Sequence, residues 1–228
     1  MPAILNIETA TEICSVAVAA GGEVILKEDQ RPNIHSASLT IFIEEILEKA
    51  GLQPSSLDAV AVSIGPGSYT GLRIGLSVAK GLCYALDKPL IAVPTLQAMA
   101  AGAALQDGWP EDVLFCPMID ARRMEVYSAF YRADGSEYRE ARADIVEEGA
   151  YSDILGHFPV VFSGNGMEKC RQFLQHRNAK FAGLLPSARF MTALSDEMYE
   201  QRKFADLAYT EPFYLKEFYT PPPRRAAE

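Results

Sequence analysis

Histidine, cysteine and positive charge are all in short supply in this chain. Three histidines and four cysteines are spread over 228 residues, and Cys14, Cys83, Cys116 and Cys170 form no C-x-x-C pair. That spacing offers neither a disulfide framework nor a zinc site, and buried free thiols in a reducing compartment are the plain reading. Thirty Asp and Glu against 21 Lys and Arg leave a formal net charge of −9. A grip on a phosphate backbone comes from clustered Lys and Arg, so direct nucleic-acid binding is disfavoured. Long apolar runs are missing too. The uncharged stretch 89–106 is broken by Pro89, Pro94, Gln97, Gly102 and Gln106, whereas a membrane span needs about 20 mostly apolar residues. Residues 1–8 carry no basic region ahead of an apolar run, so they read as a strand rather than a signal peptide. A cytoplasmic protein is expected.

What is present is ordinary globular material, with 49% hydrophobic and 22% charged residues. At about 150 residues per domain the chain makes one large domain or two small ones. Residues 4–7, 14–19 and 23–28 read as strands, the last two joined by a Gly21-Gly22 turn, which opens the chain with an antiparallel meander. Leu39, Phe42, Ile43, Ile46, Leu47 and Ala50 then recur at helical steps, with Glu44, Glu45, Glu48 and Lys49 on the other face and Gly51 as the stop. A near-continuous apolar strand over 57–64 is the kind buried on both faces. Helix 72–86, strand 90–93 and an alanine-rich helix 95–105 follow. Three antiparallel strands, then helix, strand, helix, strand, helix, is the order of a ribonuclease-H-like half. After the polar break 106–112 strand signals restart at 113–119, 125–131 and 135–141. A helix near 145–155, a strand over 159–162, a glycine turn at 163–166, a helix from Met167 and a stronger one over 189–204 complete the second half. The expected units are 1–106, 107–220 with part of its last segment returning to the first, and a mobile tail 221–228 behind Pro221-Pro222-Pro223.

Four places carry residues that chemistry uses. At Glu8-Thr9-Ala10-Thr11, two-lobed nucleotide phosphotransferases hold an acid for magnesium and a glycine that lets the backbone reach a phosphate. Here the acid is the longer Glu8 and the glycine position is Ala10, which favours a polar hairpin turn. The second is Gly65-Pro66-Gly67-Ser68-Tyr69-Thr70-Gly71-Leu72-Arg73-Ile74-Gly75. A glycine turn before a helix can bind an anion through free N–H groups, yet this run lacks both the P-loop ending and G-x-G-x-x-G spacing. Its helix sets Gly71, Gly75 and Ala79 on one ridge and Leu72, Leu76, Cys83 and Leu86 on the next, leaving Arg73, Ser77, Lys80 and Tyr84 as a narrow polar stripe. A helix so apolar is buried on two sides, by its own sheet and by another helix of this chain or of a second one. The third place is His35, where a metal site needs a second ligand one turn on; Ser38 and Leu39 stand there, and His157 and His176 have no better company. The fourth is Ile119-Asp120-Ala121-Arg122-Arg123-Met124-Glu125-Val126-Tyr127, in which Asp120 and Arg122 can pair across a turn as a latch. Ser163-Gly164-Asn165-Gly166 is the second-half counterpart of a nucleotide loop without a nearby acid, and no nucleophile elbow occurs. No catalytic, metal or cofactor residue is expected.

These runs together resemble the TsaB (YeaZ) family, along most of the chain. The resemblance rests on Ile7-Glu8-Thr9-Ala10-Thr11 with Cys14-Ser15-Val16-Ala17, on the 65–75 run, on Ile119-Asp120-Ala121-Arg122 with Glu125-Val126-Tyr127, and on Glu211-Pro212-Phe213-Tyr214-Leu215. Glu8 departs from the Asp common in the family. The resemblance implies an α/β fold of two ribonuclease-H-like lobes of the actin, hexokinase and Hsp70 (ASKHA) type. It implies a non-catalytic relative of TsaD, whose paired-histidine metal site has no counterpart at Leu39 and whose late Gly-Asp-Asn run is missing here. It further implies the role of a dimerisation subunit that binds and supports TsaD, with the ATPase TsaE in a larger complex, while threonylcarbamoyl is moved onto an adenine beside the tRNA anticodon. Contact with tRNA would be indirect, and a homodimer would form when TsaD is absent. The competing class is an enzyme of the same fold, a nucleotide-dependent phosphotransferase or a peptidase-like protein; a plain homodimeric binding module is a third reading. Helices 36–50 and 72–86 are the expected partner surface, carried by Leu39, Phe42, Ile43, Ile46, Gly71, Leu72, Gly75, Leu76, Ala79 and Cys83.

Overall fold

Small and β-branched residues at the N-terminus form the expected meander: β1 (Ile4–Glu8), β2 (Cys14–Ala20) and β3 (Glu23–Asp29), paired antiparallel in sequence. The structure, a computed structural model, describes residues 2–20, 22–30 and 34–216, with the backbone alone at 34–37. Gly21, the His35 side chain and the tail 221–228 therefore lie outside the described residues. Two further strands, β4 (Ala59–Ser63) and β5 (Leu90–Val93), run parallel to β1 and give the order β3-β2-β1-β4-β5. Every residue of β4 is buried, as its unbroken apolar run requires. One face of the sheet, with Leu5, Ile7, Val16, Val18, Val60 and Val62, is covered by α1 (Ile34–Ala50) and α2 (Tyr69–Leu86). Ser68 caps α2 by accepting from the Gly71 N–H at 3.2 Å. Asp87, in the left-handed region at φ 54°, closes it.

The second sheet repeats this order. β6 (Leu114–Asp120), β7 (Glu125–Arg132) and β8 (Glu137–Ile145) form a meander, and β9 (Val160–Ser163) and β10 (Ala179–Ala182) lie parallel to β6, giving β10-β9-β6-β7-β8. Each lobe lends a helix to the other. α3 (Thr95–Ala104) packs Leu96, Met99, Ala100 and Ala103 against Phe115, Ile119 and Val161 of the second sheet. Two short helices, α4 (Ser152–Leu155) and α5 (Met167–Cys170), flank that sheet, and α6 (Thr192–Glu200) follows it. α6 sets Leu194 and Met198 against Ile4, Ala59, Ala61 and Ile91 of the first sheet. Gly102 of α3 fits this exchange, because a Cβ there would meet the Phe190 ring at 2.4 Å.

The second lobe departs from its sequence pattern in detail. Strand β8 continues to Ile145 because Glu125 to Ser128 of β7 pair with Arg142 to Ile145, so the expected helix at 145–155 shrinks to α4. The helix expected from Met167 is one turn of α5 followed by a 3-10 turn, Arg171–Phe173. The helix expected over 189–204 starts as a 3-10 turn, Ala188–Met191, and ends at Glu200. Strand β10 carried no alternation of its own and is held by its pairing with β9.

The residues expected to carry the partner surface point inward. Leu39, Phe42, Ile43, Ile46, Gly71, Leu72, Gly75, Leu76, Ala79 and Cys83 are all buried within the chain itself. In the middle of the Gly71-Gly75-Ala79 ridge, Gly75 faces Thr9 of the turn after β1. A Cβ on Gly75 would stand 2.2 Å from Thr9 Oγ1 and 3.4 Å from its Cβ and Cγ2. Gly75→Leu should accordingly destabilise the isolated chain, by ~1–3 kcal/mol or more from overpacking. Denaturant unfolding checks this, and a variant as stable as the parent contradicts the packing.

Candidate partner-binding face

Two loops meet under the N-terminal end of α2. The turn Glu8–Thr11 is buried throughout. Its Ala10 carbonyl accepts from the Ser68 N–H at 2.6 Å, and a Cβ on Gly67 would come within 2.3 Å of that oxygen. Only a glycine lets the two backbones approach so closely. On the far side Gly65 exchanges two bonds with Thr95: its N–H donates to Thr95 Oγ1 and its carbonyl accepts the Thr95 N–H, both at 3.0 Å. The run 65–71 is thus a structural clamp joining β1, α2 and α3. The N–H of Ser68 is consumed by Ala10, and the Glu8 carboxyl is sealed beneath the clamp.

Glu8 is chemically unusual. Its Oε1 accepts from the Ala10 N–H at 2.6 Å and from Ser63 Oγ at 2.9 Å, and burial pushes its pKa up to about 7 against those stabilising bonds. A carboxyl with that pKa is about half protonated at neutral pH, and this one is shut off from solvent. Thr9 Oγ1 beside it is buried with no hydrogen-bond partner among the described residues.

The other sequence candidates resolve separately. Asp120 does not pair with the Arg122 guanidinium. Its Oδ1 accepts from the Arg122 N–H at 2.8 Å and from Lys169 Nζ at 2.5 Å, while Lys169 also donates to the carbonyls of Arg123 and Glu125. The Asn165 side chain of the 163–166 turn accepts from the Asp120 N–H at 3.0 Å, so that turn braces the β6–β7 hairpin. His157 bonds the Asp153 carbonyl and His176 accepts from the Asn178 N–H. Among the described residues no three His, Cys, Asp or Glu side chains stand together as a group that could hold a metal ion, and no helix is long and apolar enough to cross a membrane.

What remains open is the outer side of α2. Ser77, Gly81 and Ala85, spaced four apart, are exposed, and a Cβ built on Gly81 meets nothing within 4 Å. Beside them runs a half-buried apolar ridge, Ile74, Val78 and Leu82. Val78 and Leu82 line a groove of about 600 Å³ whose other wall is α1, through Thr40, Ile43, Glu44, Leu47 and Glu48. Tyr84 of the same helix is 83% exposed, so a large side chain borders the face. Sequence reading missed this face. Its signal was present as the four-residue spacing of 74-78-82 and of 77-81-85, but a helix apolar on most of its circumference does not announce which side its sheet takes.

The family of this chain follows from comparison with known proteins. The model of the family described as TsaD, tRNA N6-adenosine threonylcarbamoyltransferase, matches residues 31–216. The tRNA threonylcarbamoyladenosine biosynthesis protein TsaB of Escherichia coli is 33% identical over 223 residues, spanning 93% of this chain and 94% of that protein. The chain belongs to the TsaB family. The Haemophilus influenzae TsaB is similar to the same degree, at 32% identity over 93% of each chain. Among solved structures, YeaZ from Pseudomonas aeruginosa superposes with a TM-score of 0.76 at 28% identity, covering 94% of this chain and all of that one. Membership explains the two sheets of like order: the fold is the two-lobed ASKHA type. Within this TsaB fold, Glu8 occupies the acid position of the first hairpin as a buried packing group.

The raised pKa fixes a sign. Between its unfolded value near 4.5 and about 7 the folded state holds the Glu8 proton more tightly than the unfolded chain. The Glu8 contribution to stability is therefore full below pH 4.5 and is lost as pH rises through 7, by ~3 kcal/mol in all. Glu8→Gln keeps an acceptor for Ala10 and Ser63 and removes the proton equilibrium. Unfolding free energies at pH 5 and pH 8 should differ less in the variant than in the parent by about that amount; equal differences would contradict a buried, protonated Glu8.

Proposed function

We propose that the chain is a non-catalytic, cytoplasmic subunit that binds TsaD through the outer face of α2 and the facing wall of α1, and supports it in forming N6-threonylcarbamoyladenosine beside the tRNA anticodon. The observation that carries this is the exposed Ser77-Gly81-Ala85 ridge next to the Ile74-Val78-Leu82 ridge and its groove. Small residues let a second helix approach closely, and the apolar ridge and groove supply surface to bury. The relatives' names support the setting, since TsaB proteins are named for threonylcarbamoyladenosine biosynthesis. Descent supports TsaD as the partner: a family model named for the transferase matches 31–216, and a related chain would offer a related helix pair. Two such pairs make a four-helix packing, and the same face would pair two copies of this chain when TsaD is absent. TsaE would join the assembled complex, and tRNA would be held chiefly by the partners, in keeping with the net charge of −9. The phosphotransferase reading has less support, because Glu8 and Ala10 lie beneath the 65–71 clamp.

Gly81→Leu tests this reading. The position is open, so the side chain should cost the isolated chain nothing and, by replacing a helical glycine, add ~0.5–1 kcal/mol of stability. In a complex the same side chain stands between the helices. Calorimetric titration with TsaD should show affinity lowered at least tenfold, ~1.4 kcal/mol or more. A folded Gly81→Leu chain that binds TsaD as the parent does would refute the placement.

A further inference from the structure

Two sequence runs singled out for their composition, 65–75 and 211–215, meet at one side chain. The Arg73 guanidinium lies over the Tyr69 ring, 4.1 Å from its centroid, and its Nε donates to Tyr214 Oη at 3.0 Å. The Tyr69 and Tyr214 rings are themselves 5.0 Å apart, so the arginine is held by one ring face and the hydroxyl of its neighbour. Its two terminal nitrogens have no hydrogen-bond or ion-pair partner among the described residues, and Glu211 acts on it only from a distance. Arg73 is exposed and stands one turn before Ser77, at the head of the small-residue ridge.

The C-terminal segment does not need Arg73 to stay in place. It is fastened by the Ala205 N–H to the Leu90 carbonyl at 2.8 Å, by Lys80 Nζ to the Ala208 carbonyl at 3.2 Å, and by the Phe213 N–H to the Ile64 carbonyl at 2.6 Å. An exposed arginine loses rotamer freedom when it is fixed, and a fork fixed in advance loses less on binding. We propose that Arg73, set by Tyr69 and Tyr214, is an anion anchor that takes an aspartate or glutamate carboxylate of the partner chain at the N-terminal end of the α2 contact. This rests on the partner reading above and adds the chemistry of one contact. The fork presents parallel N–H donors that match a carboxylate, and the nearby amino terminus of α2 adds to the attraction. A nucleic-acid phosphate fits less well: Lys80 is committed to Ala208, Glu211 stands close by, and among the described residues no second cation acts on Arg73. Across the groove, Glu44 and Glu48 give the opposite wall the opposite sign, so the anchor also sets which way round a partner helix pair docks.

The test is titration of the full chain and its variants with TsaD at low and high salt. Arg73→Ala should weaken binding at least tenfold and reduce its salt dependence. Arg73→Lys, which keeps the charge and loses the fork, should weaken it several-fold. Tyr214→Phe, which keeps the ring and frees Nε, should weaken it about threefold while leaving thermal stability near the parent's. Arg73→Ala binding within twofold of the parent, with Gly81→Leu still deficient, overturns the anchor and leaves the partner reading standing. If Gly81→Leu also binds normally, the partner reading itself has failed. Should Arg73→Ala leave TsaD affinity intact and instead lower the affinity of the assembled complex for tRNA, the anion is a phosphate and the carboxylate proposal is wrong.

Discussion

The position of α2 depends on a backbone contact. Ala10 offers its carbonyl to Ser68, Gly67 lies flat against the same oxygen, and Gly75 lies flat against Thr9. A side chain at either glycine would lift the helix off the first sheet. With the contact made, one long side of α2 is committed to the core, and the side that carries Ser77, Gly81 and Ala85 is left outside. The same contact buries Glu8 and occupies the turn at which a phosphotransferase of this fold would receive a phosphate. In a loop sequence that resembles an anion cradle, the N–H groups of Gly65, Ser68 and Gly71 are bonded within the chain.

The clamp also relates the two lobes. Thr95 begins α3, the helix that the first lobe lends to the second sheet, and it is bonded in both directions to Gly65. α6 returns the exchange from the second lobe. A latch reinforces it, with Glu28 Oε2 accepting from Ser187 Oγ at 2.8 Å and from Ser15 Oγ at 3.3 Å, while the Ala188 N–H donates to Ser15 Oγ. These crossings let a chain of 228 residues bury nearly continuous cores on both faces of its first sheet.

Much of this was legible in the sequence where local pattern and tertiary packing agree. The first meander, the buried β4 and the helices α1 to α3 follow from period-2 and period-3.6 patterning, and the 65–75 run marks the place where backbones touch. The second lobe was less legible because its short elements take their form from neighbours: β10 exists by pairing with β9, and β8 is extended to Ile145 by β7. Which side of α2 stays outside was not legible for a related reason. Gly75 and Gly81 are both small residues on one apolar helix, and what separates them is Thr9, distant in sequence and adjacent in space. No periodicity in 69–86 contains that information.

Thiol labelling tests the central claim, that the outer side of α2 is covered by TsaD, most directly. The native cysteines, Cys14, Cys83, Cys116 and Cys170, are all buried, so a Ser77→Cys chain presents a single accessible thiol on the ridge. Its alkylation rate should be that of a free surface thiol in the isolated chain and should collapse when TsaD is added to saturation. An unchanged rate in a complex shown by mass to be fully formed would place the interface elsewhere and contradict the account.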